Sequence, residues 1–265
     1  MTATPMPDLL STIVAAARTS AADREHLRPL DRLVGEQSHR PAGTAFMEAL
    51  RDGPAPRIIA ECKRRSPSKG ILRRDYDPAV HARAYAHAGA AAISVLTEPT
   101  FFDGDLSHLA AVRAAVKTPL LRKDFIVTDY QVHEAAAYGA DAILLIAAAL
   151  DQRRLRELRD LAASLGLASL VEVHTSDELA VALAAGAELI GVNSRNLRTL
   201  AVDLEVTATL AAAIPESVIS VAESGITSGE DLRRFSDLGF NAFLVGERLI
   251  TQPDPGAALE ALRTS

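Results

Sequence analysis

Four short apolar runs along the chain end on ionisable residues: Ile58-Ile59-Ala60-Glu61-Cys62-Lys63, Leu120-Leu121-Arg122-Lys123-Asp124, Leu170-Val171-Glu172 and Ile219-Ser220-Val221-Ala222-Glu223. Four others carry no internal charge and follow a glycine: Gly89 precedes Ile93, Gly139 precedes Ile143, Gly186 precedes Ile190 and Gly239 precedes Phe243. Runs of this length bounded by turn residues predict buried strands, centred near Ile59, Ile93, Leu121, Leu144, Val171, Ile190, Ile219 and Leu244. Helical patterns fill the intervals, at 78–88, 106–116, 130–138, 152–165, 177–185, 204–213, 229–238 and 257–262. Strands alternating with helices make βαβ units and a parallel sheet, and eight repeats favour closure. The expectation is an α/β fold, a (β/α)₈ TIM barrel with an N-terminal helical extension. A buried strand has no reason to end on carboxylates and lysines unless its end faces a polar pocket. Side chains from alternate strands share layers inside such a barrel, so charges on the odd strands converge at one mouth.

The first 56 residues differ in character. Asp8 to Ala17 is apolar at helical spacing, and a polar stretch from Ser20 to Arg40 follows. Phe46, Met47 and Leu50 then make a short turn before Gly53-Pro54-Ala55-Pro56 breaks the chain. This segment is expected to pack on the barrel as a lid or a bottom cap, so that 1–265 form one barrel domain. Gly89, Gly139, Gly186 and Gly239 are assigned a structural role as the left-handed residues that end helices. Catalysis in such barrels sits in the βα loops, and three of these are long or polar: 63–77, 97–105 and 193–203.

Composition narrows the function. At 265 residues the chain fits one (β/α)₈ domain, typically about 250 residues, with a modest extension. No apolar stretch reaches the roughly 18 residues of a membrane span, and no basic segment followed by an apolar block opens the chain. A cytoplasmic protein without membrane partners is expected. The lone Cys62 excludes an internal disulfide and, alternating with Glu61 and Lys63, should point out of the barrel towards a helix. A net charge of −6 with dispersed basic residues argues against nucleic acid. The seven histidines show no zinc-type spacing, and neither GxGxxG nor a Walker A sequence occurs, so no metal or nucleotide cofactor is expected. Four lysines stand against 24 arginines, yet Lys63 and Lys123 occupy strand ends. Arginine cannot release a proton near neutrality, whereas lysine can when its surroundings lower its pKa.

Glu61 and Lys63 lie two apart on one strand and both face inward, as a salt bridge or as site residues. Leu121 and Lys123 share a face, which assigns Lys123, and neither Arg122 nor Asp124, to the pocket. Glu172 is the only acid on an apolar strand, and burial there should raise its pKa towards that of a general base. Asn193-Ser194-Arg195-Asn196-Leu197 brings an amide and a guanidinium to the same mouth, with helix capping by asparagine as the alternative. Glu223-Ser224-Gly225-Ile226 and Leu244-Val245-Gly246-Glu247 follow the seventh and eighth strands, where barrels of this type often bind phosphate on backbone N–H groups.

Taken together, Glu61-Cys62-Lys63-Arg64-Arg65-Ser66-Pro67-Ser68-Lys69-Gly70, Ser94 to Glu98 with Phe101-Phe102-Asp103-Gly104, Leu121 to Ile126, Leu170 to His174, Gly191 to Leu197, Ala222 to Ile226 and Leu244 to Glu247 resemble the indole-3-glycerol phosphate synthase family. The resemblance implies a carboxy-lyase (EC 4.1.1.48) of tryptophan biosynthesis that needs no cofactor. Its substrate would be the phosphorylated small molecule 1-(2-carboxyphenylamino)-1-deoxy-D-ribulose 5-phosphate. It further implies Lys123 as general acid and Glu172 as general base, the latter held by Asn193. Lys63 would bind a substrate anion and Glu61 would orient it; the division of the acid role between the two lysines stays open. Ser66 and Arg195 would hold the anthranilate end, with Phe102 against its ring and Leu197 beside it. Ser224, Gly225, Gly246 and the backbone N–H of Glu247 would bind phosphate.

Some positions depart from the family pattern: Ala21 to His26 in the first helix, Asp105, Ser194, and the bulky Arg248 beside the phosphate loop. Another phosphate-binding barrel, such as phosphoribosylanthranilate isomerase, would need an inward Cys/Asp pair. A catalytically inactive barrel would have lost Lys123 or Glu172. A monomer is expected, an oligomer staying open.

Overall fold

Eight strands, Ile58–Cys62 (β1), Ala92–Leu96 (β2), Leu120–Lys123 (β3), Ala142–Ile146 (β4), Ala168–Val173 (β5), Leu189–Asn193 (β6), Ile219–Glu223 (β7) and Ala242–Val245 (β8), close into a parallel barrel. Each pairs with the next, and β8 returns to β1 with Ala60 opposite Val245. The structure is a computed structural model that describes residues 9–195, 202 and 204–265. Helices Leu9–Leu27 (α1), Leu30–Gly35 (α2) and Gly43–Arg51 (α3) precede the barrel. The outer ring comprises Pro78–His87 (α4), Leu106–Ala115 (α5), Asp129–Ala137 (α6), Gln152–Ser164 (α7), Ser176–Ala184 (α8), Leu204–Ala211 (α9), Gly229–Asp237 (α10) and Pro255–Thr264 (α11). This is the (β/α)₈ architecture expected from the alternating pattern.

Strand residues are apolar on both faces because both are buried. Outward-facing Ala60, Cys62, Val95, Val171 and Val192 pack with the helices in one apolar cluster. Ile59, Leu121, Leu144, Leu170, Val221 and Leu244 point inward and form a second. Cys62 faces outward as alternation requires; its Sγ approaches the Pro78 carbonyl oxygen at 3.8 Å, and burial pushes the thiol well above its usual pKa. The four glycines at the helix ends adopt φ values of 81°, 95°, 85° and 94°.

The N-terminal segment departs from the expected pattern in two ways. Phe46 and Leu50 belong to the nine-residue helix α3, not to a short turn. Helix α1 runs on through the polar stretch to Leu27, because that stretch is anchored laterally: Arg24 makes a two-pronged pair with Glu134 on α6 at 2.6 and 2.9 Å, and Tyr130 Oη donates to the Arg24 and Arg28 carbonyls. The segment also acts at both ends of the barrel. Phe46 and Leu50 close the inner apolar cluster, and Gly43 abuts Gly166 and Ala168 at the start of β5, where a Cβ would lie 2.5 Å from the Ala168 nitrogen. At the opposite, C-terminal end, Leu9, Leu10 and Ile13 of α1 border the mouth.

Candidate active site

Two residues beyond each inner apolar side chain, every odd strand presents an ionisable group inward: Ile59 leads to Glu61, Leu121 to Lys123, Leu170 to Glu172 and Val221 to Glu223. The four line one cavity of about 400 Å³ at the C-terminal mouth. Lys123 Nζ lies 3.2 Å from Glu172 Oε2 and 3.6 Å from Glu223 Oε2. Lys63 Nζ lies 2.6 Å from Glu61 Oε2. Asn193, the Cα partner of Glu223 across β6 and β7, accepts from the Arg195 backbone N–H through Oδ1 at 3.0 Å, and its side chain hydrogen-bonds Glu172.

Two glycines make room for these carboxylates. A Cβ on Gly191 would sit 2.0 Å from Glu223 Oε1, and one on Gly246 would sit 2.3 Å from Glu61 Oε2. A glycine inside a strand commonly marks such a close approach.

The loops after β7 and β8 border the same cavity with Ser224, Gly225, Gly246, Glu247 and Arg248. Ser224 and Gly225 have φ values of 65° and 74°, in the left-handed region. Consecutive residues there turn successive N–H groups to one side, a concavity suited to anions. Gly246 precedes a short helical turn, Glu247–Ile250. Ser194 Oγ, just past β6, donates to the Glu223 and Ser224 carbonyls and so ties the end of β6 to the start of the loop after β7.

The sequence profile of indole-3-glycerol phosphate synthase matches residues 10–262. The chain belongs to the indole-3-glycerol phosphate synthase family. Curated proteins of that name include one from Mycolicibacterium smegmatis, 49% identical over 97% of this chain and 94% of its own length, and one from Saccharopolyspora erythraea, 48% identical over 97% and 95%. A third, from Albidiferax ferrireducens, is 46% identical over 97% of this chain and 98% of its own. The protein is therefore an enzyme, a lyase of the kind that serves tryptophan biosynthesis. Solved structures repeat the fold at low identity. Thiamine phosphate pyrophosphorylase from Pyrococcus furiosus superposes with a TM-score of 0.61 at 19% identity, over 78% of this chain and 94% of that one. KGPDC from Streptococcus mutans gives 0.61 at 14%, over 79% and 96%. Among the described residues, no helix is long and apolar enough to cross a membrane.

Within the indole-3-glycerol phosphate synthase fold, Glu61, Lys63, Ser66, Phe102, Lys123, Glu172, Asn193, Arg195, Ser224, Gly225, Gly246 and Glu247 all border the one cavity. Leu197 and Asn196 lie outside the described residues, as does most of the loop that carries them. Phe102 ends the short helix Pro99–Phe102, whose N–H groups bond to Glu98, and its ring lies 6.2 Å from that of Phe125. The loop after β1 folds into a two-residue hairpin, Arg65–Ser66 against Gly70–Ile71, pinned by the ion pairs Arg64–Asp103 and Lys69–Glu247. Asn193 ends a strand and, among the described residues, caps no helix; Asn196 lies outside them. Arg248 does border the cavity, with Nε donating to the Thr227 carbonyl at 3.1 Å.

Three expectations need correction. Burial does not raise the pKa of Glu172. Desolvation opposes its ionisation, but the charge of Lys123, the His174 ring and the Asn193 amide together hold the carboxyl well below the usual range. The acid raised by burial, and next by the charge of Glu172, is Glu223, pushed up to about 8. Nor do the surroundings lower the pKa of Lys123: burial would do so, yet Glu172, Glu223 and Glu61 override it and keep the amine charged. Finally, Asp124 borders the cavity as well as Lys123, because it lies past the strand end where alternation no longer applies. Its oxygens are occupied, Oδ2 by Thr97 Oγ1 at 2.6 Å and Arg122 at 2.9 Å, and Oδ1 by the Phe125 N–H at 2.8 Å.

Glu223 was visible at the end of the seventh run but carried no assigned role beside the Ser-Gly pair that follows it. Gly191 showed only as a strand glycine. Arg122, fully buried on the outer face and bonded to Asp124, Glu134, Thr97 and the Gln131 carbonyl, has no sequence signal that separates it from a surface arginine.

Proposed function

We propose that this enzyme converts 1-(2-carboxyphenylamino)-1-deoxy-D-ribulose 5-phosphate into indole-3-glycerol phosphate, CO₂ and water, with Lys123 as general acid and Glu172 as general base. The observation that carries this reading is one cavity bordered both by a charged amine between two buried carboxylates and by a left-handed Ser-Gly turn. The phosphate would sit against the N–H groups of Ser224, Gly225, Gly246 and Glu247. Lys63, Ser66 and Arg195 would hold the anthranilate carboxylate and amine, and Phe102 and Leu197 would border the ring. The ring carbon bearing the carboxylate attacks the ketone while Lys123 gives a proton to the ketone oxygen. An alkoxide is more basic than an ammonium group, so a lysine that starts each turnover protonated is suited to that step. Loss of CO₂ restores aromaticity, its departing charge beside Lys63. The hydroxyl then leaves as water, taking a proton from Lys123 once solvent has recharged it or from Lys63, while Glu172, ionised by its neighbours, removes the proton that completes the pyrrole ring. Glu223 retains its proton near neutrality, so only one of the two facing acids need be charged.

The chain contains no tryptophan. Adding substrate should therefore make indole fluorescence rise from a dark protein background. A flat trace, with substrate consumed or not, would overturn the assigned reaction.

A further inference from the structure

His174 follows β5, the strand that carries Glu172, and stands between two carboxylates. Its Nε2 lies 3.3 Å from Glu172 Oε1 and its Nδ1 lies 3.2 Å from Glu178 Oε2. Glu178, in the first turn of α8, also accepts from the His174 backbone N–H at 2.7 Å, so the ring is fixed at its base and at Nδ1, with Nε2 directed to Glu172 at ion-pair distance. The side chain is 10% exposed and Glu172 is 1% exposed. We propose that His174 is a positioning residue of the reaction: with Glu178 behind it, it holds the Oε1 side of Glu172 so that Oε2 is aimed at Lys123.

The inference rests on Glu172 being the base, and donor counting supports it. A neutral imidazole offers one N–H, whereas two carboxylates offer only acceptors. A ring that carries both protons presents a donor to Glu178 at Nδ1 and a positive charge to Glu172 at ion-pair distance from Nε2. Glu172 is thereby clamped by a cation on each side, Lys123 at Oε2 and His174 at Oε1, with the Asn193 amide as an uncharged third. The charged groups facing Glu172 are Lys123 on β3 and Glu223 on β7, with Glu61 on β1 acting on both Lys123 and Glu223. Those acting on His174 are Glu172 and Glu178; the turn Ala147–Ala149 packed against this region contributes only alanines. Burial alone would lower the ring's pKa, and its hydrogen bonds to Glu172 and Glu178 push it up to about 10 instead. Removing the ring should leave Glu172 with Lys123 as its only cation, facing Glu223 across the cavity.

The test is the pH dependence of turnover in His174→Ala and His174→Gln, with folding followed by circular dichroism at each pH. In His174→Ala the acid limb of kcat should move up by about one to two pH units, with KM within about twofold of wild type and activity recovering towards alkaline pH. His174→Gln, which restores a donor without the charge, should fall between. A loss equal at every pH, or an unmoved acid limb, overturns the inference. Glu172→Gln separates the two layers. If that variant keeps normal turnover, the role of Glu172 itself fails; if it is impaired while His174→Ala behaves as wild type, only the present inference fails. Should the alanine variant not fold, ¹⁵N shifts of the wild-type imidazole decide: both His174 nitrogens are expected to be protonated at pH 8, and a neutral ring overturns it.

Discussion

Lys123 holds its position through charge rather than packing. It is caught between Glu172 at 3.2 Å and Glu223 at 3.6 Å, and its ammonium compensates the charge of Glu172 from that side. Replacing Lys123 by alanine or Glu172 by glutamine should each lower kcat by about 100-fold or more, the scale of a proton-transfer group, while far-ultraviolet dichroism stays native. Near-normal turnover in either would remove its role. Glu223 gives a second expectation with a definite sign. In the folded chain it keeps its proton up to about 8, against an ordinary value of 4.5. The stability tied to that proton is complete below 4.5 and is lost as pH rises through 8. Glu223→Gln cannot ionise, so thermal scans should show it gaining on wild type between about pH 5 and pH 8, by up to about 1.4 kcal/mol per pH unit, and levelling above that. A constant offset across that range would contradict the assignment.

At the scale of elements, the mouth is assembled from pieces remote in sequence. Helix α1 reaches the cavity with Leu9, Leu10 and Ile13 and is fastened at its other end by Arg24 on Glu134. Glu134 also lies 3.4 Å from Arg122, which bonds Asp124, the residue next to Lys123. One buried chain of charges thus links the N-terminal helix to the tip of β3. Arg24→Ala should lower the melting point by an amount equivalent to about 1–2 kcal/mol, since a partly buried pair is broken while Glu134 keeps Arg122. Because α1 borders the substrate cavity, KM should rise more than kcat falls. Equal losses in both would indicate that α1 is only a structural brace. The helix ring and the strand order were legible because their periodicities differ: buried strands here are continuous apolar runs, and the helices between them end on glycine. Helix α3 was not, since its apolar residues are few and its stability derives from the barrel floor against which Phe46 and Leu50 lie.

For the whole molecule, closure of the barrel turns eight separate strand ends into one cavity, which the loops after β7 and β8 border and where the proposed function places the phosphate. Anything that binds the folded state alone raises stability by mass action. Inorganic phosphate at about 100 times its Kd should therefore stabilise the enzyme by about 2.7 kcal/mol. The same titration on Gly246→Val should show little shift, because even a Cβ at that position would lie 2.3 Å from Glu61 Oε2 and displace the loop. Stabilisation that survives the substitution would place the anion elsewhere.

The linear chain determined the fold class, the inward face of β1 and β3, and most of the charges at the mouth, Asp124 excepted. Those follow from apolar periodicity and from the two-residue repeat of a strand, both properties of neighbours along the backbone. Only the closed tertiary structure decided which of those charges stay ionised. Glu172 and Glu223 look alike as buried strand-end acids, yet one is held charged by Lys123, His174 and Asn193 while the other keeps its proton. Electrostatic energy depends on distances across the cavity, and those are set by register and closure, which no local pattern encodes.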